Sequence, residues 1–166
     1  NTFSIYVDTP ENSSAQQTSE VTSCILEYFK KEQSVMDMEV FLAQGAPLDY
    51  AGLVKGSSLK SMAYQAEIVV NLSDKHERDE VSYNMVHRVR PEVKRACSRL
   101  IPDTVIKFVE MPSGPPTMAT IVVSLFGKNP ELTRKTAKTI ADIFERTEGL
   151  VDIDIMQDSL YEKFEI

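Results

Sequence analysis

Glu110-Met111-Pro112-Ser113-Gly114-Pro115-Pro116 stands between two extended apolar runs and divides the chain. Proline fixes its own φ, and the residue before a proline is driven out of the helical region. Met111, Gly114 and Pro115 therefore favour extended or turn geometry, and the stretch reads as a stiff connector. On its amino-terminal side lies a complete unit of strands and helices. On its carboxy-terminal side a second unit starts and is not finished.

Working back from the connector, residues 105–110 read as a strand, and Val81, Met85, Val89 and Val93 step along one face of a helix. Pro91 lies inside that helix, where it removes one backbone hydrogen bond and predicts a kink near His87 rather than a break. Ala66, Ile68, Val70 and Leu72 mark an earlier strand, and Met36, Met38, Val40 and Leu42, alternating with Asp37, Glu39 and Phe41, mark another. At the amino terminus Phe3, Ile5 and Val7 alternate with Ser4, Tyr6 and Asp8. Ser13 and Ser14 precede Gln16 and Gln17 at capping-box spacing, and Val21, Ile25, Tyr28 and Phe29 follow as a helical face. The order β-α-β-β-α-β predicts an α+β, ferredoxin-like split β-α-β sandwich.

Beyond the connector the pattern restarts. Residues 120–126 read as a strand, Asn129 as the cap of a helix beginning at Pro130, and Leu132, Ile140 and Phe144 as its buried face. Gly149 stops that helix, residues 150–156 form the next strand with Val151, Ile153 and Ile155 on one side, and residues 160–166 begin another. The domains expected are residues 1–111, a connector at 112–118, and the β-α-β half of a second, similar subdomain at 119–166. A lone β-α-β half exposes edges and half a core, so it is expected to be completed by other chain.

The 166 residues are 42% hydrophobic and 26% charged, enough for a real core. A net charge of -7 argues against nucleic acid, whose binding rests on Lys and Arg. No apolar run reaches the roughly 20 residues that cross a bilayer. Cys24 and Cys97 fall in helix-like segments and read as packed thiols rather than as a disulfide; two cysteines do not identify a redox compartment.

Residues 44–62 form the longest connection without a periodic pattern, which marks it as functional or disordered. Gly45, Gly52 and Gly56 supply conformational freedom, while Leu48, Tyr50, Leu53 and Val54 are more apolar than a solvated loop needs. The same residues read equally well as a short helix plugging the base of the sheet. His76 and His87 are the only histidines, without HExxH, CxxC or nucleophile-elbow patterns, so no enzyme, cofactor or metal site is expected. Asp152 and Asp154 alternate with apolar residues and read as the wet side of a strand.

Three strings carry a resemblance: Val70-Asn71-Leu72-Ser73-Asp74-Lys75-His76-Glu77-Arg78, then Arg88-Val89-Arg90-Pro91, then Gly114-Pro115-Pro116. Together with Phe126-Gly127 and Glu148-Gly149-Leu150-Val151-Asp152-Ile153-Asp154 they resemble the large periplasmic loops of resistance-nodulation-division efflux transporters of the acriflavin-resistance, hydrophobe-amphiphile type. The resemblance implies a periplasmic porter portion of a bacterial inner-membrane, proton-driven multidrug antiporter. The opening at residues 3–29 favours the carboxy-terminal of its two loops.

By the same resemblance, residues 45–56 are the switch loop, with Gly45, Leu48, Tyr50, Gly52, Leu53 and Gly56 as substrate-contacting or hinge residues and Tyr50 or Leu53 in the contact role. Met111, Gly114, Pro115, Pro116 and Met118 are the cleft connector. The implied partners are amphiphilic small molecules, the rest of the transporter chain and, in a homotrimer, a periplasmic adaptor and an outer-membrane channel. Methionine ladders in some relatives raise a heavy-metal branch, for which Met111 and Met118 are the pair of interest. A free-standing ferredoxin-like regulatory or small-ligand-binding domain is the competing expectation.

Overall fold

A computed structural model of the chain describes residues 2–47, 50–110 and 119–156, except the side chains of residues 50 and 51. The chain divides into two compact units, Asn1–Thr120 and Ile121–Ile166. In the first unit, β1 (Thr2–Asp8), β2 (Val35–Leu42), β3 (Gln65–Leu72) and β4 (Val105–Glu110) form one sheet in the order β2-β3-β1-β4. Every neighbouring pair is antiparallel. Helices α1 (Ala15–Phe29) and α3 (Ser82–Cys97) supply the crossovers, so the ferredoxin-like arrangement expected from the β-α-β-β-α-β order is present.

The core lies between one sheet face and the two long helices. Phe3, Ile5 and Val7 of β1, Ala66, Ile68 and Val70 of β3, and Ile106 and Phe108 of β4 meet Val21, Ile25 and Phe29 of α1 and Met85, Val89 and Val93 of α3. The rings of Phe3, Phe29 and Phe108 stand 5.8 to 6.4 Å apart at its centre. Full burial of an Ile or Phe contributes about 1.5–3 kcal/mol, so loss of any one is felt throughout the unit. Helix α1 begins with the capping box read from the sequence: the Ser14 hydroxyl accepts from Gln17 N–H, and the Gln17 side chain accepts from Ser14 N–H. Helix α3 runs unbroken through Pro91, with Val86 and Cys97 added to its buried face. Val81 is its amino-terminal cap and is 54% exposed, so it does not belong to that face.

Strand β2 departs from strict alternation. A bulge falls between Val35 and Asp37, which puts Val35 and Met38 against the core and leaves Met36 outside, 71% exposed. As an edge strand β2 lacks a neighbour to enforce the period, and Val40 is half-exposed as well.

Cys24 and Cys97 form a disulfide with 5.7 Å between their Cα atoms, contrary to the packed-thiol expectation. Sequence alone does not bring them together. Adjacent packing of α1 and α3 on one sheet face does, across a sequence separation of 73 residues.

In the second unit, α4 (Pro130–Glu145) starts as expected: Asn129 Oδ1 accepts from Leu132 N–H at 3.1 Å and Pro130 takes the first turn. Helix α4 ends before Gly149, which adopts φ +86°. Its covered stripe runs through Ala137, Ile140, Ala141 and Phe144, whereas Leu132 is exposed. The strands expected at 120–126 and 150–156 are not formed among the described residues. Their apolar pattern is real, yet Val122, Val123 and Val151 are half-exposed and Phe126 is 94% exposed. In a split β-α-β unit the two strands flanking the helix are not neighbours, because a third lies between them. Among the described residues neither segment has a ladder partner, and Asp152 itself turns at φ 56°. The strand expected at 160–166 lies outside the described residues.

Candidate functional site

The sheet face turned away from the helices carries the second half of each alternation. Phe41, Glu67, Tyr6 and Lys107 form one cross-strand row, and Glu39, Val69, Ser4 and Val109 the next. An insertion between β2 and β3 covers this face, which is why Tyr6 is buried on the side expected to be wet. Of the two readings of the insertion, a loop without regular structure or a short helix, it contains the short helix α2 (Tyr50–Lys55) and a 3-10 turn (Ser57–Leu59).

Polar bonds hold the insertion down. At its far end Thr9 N–H donates to the Tyr64 carbonyl at 2.9 Å and the Thr18 hydroxyl to the Ala63 carbonyl at 2.8 Å. Lys60 Nζ lies 3.0 Å from Asp8 Oδ1 and 4.6 Å above the centre of the Tyr6 ring. Its burial is tolerable because both the carboxylate and the ring face offset the lost hydration. Nearer the middle, Glu67 is 3% exposed and accepts three hydrogen bonds. Its Oε1 accepts from Ser4 Oγ at 2.8 Å, and its Oε2 accepts from Ala46 N at 2.9 Å and Ser57 Oγ at 2.5 Å. Lys55 Nζ donates to the Glu110 carbonyl at 3.2 Å.

Between insertion and sheet lies a cavity of about 170 Å³, lined among others by Ser4, Tyr6, Phe41, Gly52 and Glu67. Among the described residues the lining includes Phe3, Tyr6 and Phe41 and the carboxylates Glu39 and Glu67, and no histidine, cysteine, lysine or arginine. Such a lining can hold a small ligand by apolar contact and a few hydrogen bonds, the usual division of labour in binding pockets.

The residues expected here fall out differently. Gly52 lines the cavity. Gly45 shapes it by close approach, since a Cβ there would stand 2.0 Å from the Ser57 carbonyl oxygen, and Gly56 turns the chain at φ +84°. Leu53 is 58% exposed and is not part of the lining. Leu48 and the side chain of Tyr50 lie outside the described residues, as do Met111, Gly114, Pro115, Pro116 and Met118. Glu67, Ser57 and Lys60 were not singled out from the sequence; a glutamate set between Ala66 and Ile68 reads as the wet side of a strand and gives no sign of the cover.

The motif strings prove to be structural where described. Arg88 pairs with both carboxylate oxygens of Glu32, at 3.0 and 2.8 Å, and with Glu80 at 2.7 Å. These bonds hold the guanidinium well above its ordinary range, with Glu32 the larger cause, and hold Glu80 below the usual carboxylate value. Arg90 lies 5.5 Å over the Phe108 ring, and Asp74 Oδ1 accepts from His76 N–H. The His87 ring lies beside Tyr83. Tyr28 donates to Glu92 at 2.6 Å; burial first and that carboxylate second push its phenol up to about 12.

No family model and no curated protein matches the chain. Among solved structures it is similar to the crystal structure of a heavy metal efflux pump, with a TM-score of 0.62 at 15% sequence identity. The alignment covers 95% of this chain and 16% of that one. The likeness is one of fold: an α+β module of the kind built into an efflux pump. Among the described residues no helix is long and apolar enough to cross a membrane.

Proposed function

We propose that this chain is a porter-type, substrate-entrance portion of a resistance-nodulation-division efflux transporter, facing an extracytoplasmic compartment and performing no covalent chemistry. The observation that carries the reading is the reach of the fold likeness to an efflux pump, which runs over 95% of the chain and so includes both units. The Cys24–Cys97 disulfide supports the periplasmic side, because such bonds persist in oxidising compartments.

Amphiphilic small molecules are the cargo that an aromatic and weakly polar pocket fits, with proton movement elsewhere in the full transporter as the drive. The heavy-metal branch is the second reading, favoured by the similar pump. Among the described residues no group of three or more His, Cys, Asp or Glu side chains could hold a metal ion, and Met85 is locked in the core. The deciding experiment expresses the complete reading frame containing this chain in a bacterial strain stripped of its own pumps. Reduced accumulation of an amphiphilic dye, reversed by a protonophore, is expected. Lowered copper or silver content without an effect on dye would move the assignment to metal, and a frame that encodes no membrane-spanning helices would remove the transporter reading.

A further inference from the structure

Three cross-links set the seam between α1 and α3: Cys24 to Cys97, the Tyr28 hydroxyl to Glu92, and Glu32 to Arg88. As the chain advances from Cys24 to Glu32, the partners step back from Cys97 to Arg88. The helices thus run antiparallel, and the two cysteines come level only when both helices have docked. Their surroundings differ. Cys97 continues the stripe of Val89 and Val93, all three 0% exposed and inside the core. Cys24 is half-buried at the rim of that core, with Ser23 beside it and Glu20 and Glu27 one turn away on either side, all three exposed.

We infer that the bond is made and unmade through Cys24, with Cys97 as the resolving sulfur, and that the reagent the folded chain takes is a low-molecular-weight disulfide. Thiol–disulfide exchange requires the incoming sulfur to reach the one it meets, so access selects between the two cysteines. In the reduced chain the Cys24 thiolate attacks one sulfur of a disulfide RSSR. The RS–SR bond breaks, the first RS⁻ leaves and takes up the proton that Cys24 released, and a Cys24–SR mixed disulfide forms. Cys97, held level with it, attacks Cys24 Sγ and expels the second RS⁻, which takes the Cys97 proton. Two protein thiols are oxidised and RSSR is reduced to two RSH. A half-buried sulfur on a regular helix offers no extended segment to the groove of a protein oxidant, whereas a slim disulfide can reach it. The inference does not depend on the transporter reading.

Oxidised glutathione, applied to the 166-residue chain under native conditions, tests it. Cys97→Ser is expected to gain one glutathione at Cys24 about tenfold or more faster than Cys24→Ser gains one at Cys97, and in concentrated urea the two rates should converge. Equal native rates, or a faster Cys24→Ser, overturn the inference; so does a tenfold gap that persists in urea, which would trace the difference to local sequence instead of burial. If either variant does not fold, the parent decides. Reduced glutathione is added to the disulfide-bonded chain, the reaction is quenched in acid, and the denatured chain is alkylated with N-ethylmaleimide. Peptide mapping is expected to place glutathione on Cys24 and the maleimide on Cys97. The reverse placement, or an even mixture of the two, overturns the assignment.

Discussion

Cys24 on α1 and Cys97 on α3 are joined across 73 residues of sequence, so the two helices that cover the core are stapled to each other as well as to the sheet. Closing a loop of that length removes conformational entropy from the unfolded chain worth about 4 kcal/mol in the chain-entropy account. Cys24→Ser with Cys97→Ser should therefore lower the unfolding free energy by about 2–4 kcal/mol, read from urea melts with unchanged slope. Two titratable thiols in the purified, non-reduced parent protein would contradict the bridge.

Arg88 sets the acid limb of stability. Glu80 is held below its ordinary value of 4.5 chiefly by its hydrogen bond to Arg88. A depressed carboxylate stabilises the fold above its unfolded value and loses that contribution as pH falls through the lower, folded value. The parent should thus weaken below pH 4.5 more steeply than Arg88→Ala. At neutral pH the substitution should cost only about 1 kcal/mol, because the guanidinium is half-exposed and screened, and 1 M salt should shrink the difference. Equal acid limbs in the two proteins would show that the triad contributes nothing.

Tyr28 governs the alkaline side with the opposite sign. Its phenol is raised to about 12, first by burial and then by its bond to Glu92. A raised value means that the folded state holds its proton longer, so the contribution is complete below pH 10 and is lost between 10 and 12. A late-ionising component is expected in an ultraviolet titration, and Tyr28→Phe should reduce it by one phenol. A late component of undiminished size in Tyr28→Phe would assign it to another ring.

Periodicity made β1, α1, β3, α3 and β4 legible because each buries one face against the same core, and side-chain alternation reports such burial directly. The caps at Ser14 and Asn129 were equally readable, being local. What the sequence hid is what depends on a neighbour. The bulge at Met36 follows from edge position, the Cys24–Cys97 bridge from helices that meet only after folding, and the buried bonds of Glu67 from a cover laid over the outer face. Helix α2 is six residues long, too short to show a period, and contains a glycine. In the second unit the alternation at 150–156 signals a strand, but the ladder that would make it one needs a partner segment.

Gly45 and Gly56, in the insertion between β2 and β3, should respond unequally to the same methyl group. At Gly45 a Cβ would stand 2.0 Å from the Ser57 carbonyl oxygen and 2.7 Å from its hydroxyl, contacts that only movement of one limb can relieve. Gly45→Ala should therefore destabilise the first unit by about 1–3 kcal/mol, the usual range for forced overpacking, and raise exchange at Ser57 and Lys60. At Gly56 the surroundings are open, with the nearest atom of Leu59 at 3.9 Å, so only the left-handed backbone resists. Gly56→Ala should cost about 1–2 kcal/mol, and Gly56→Asn less than Gly56→Ala because asparagine tolerates that region better. Thermal melts of the three variants check the order. A Gly45→Ala protein as stable as the parent would mean that the two limbs of the insertion do not cross as closely as Ser57 and Gly45 do here.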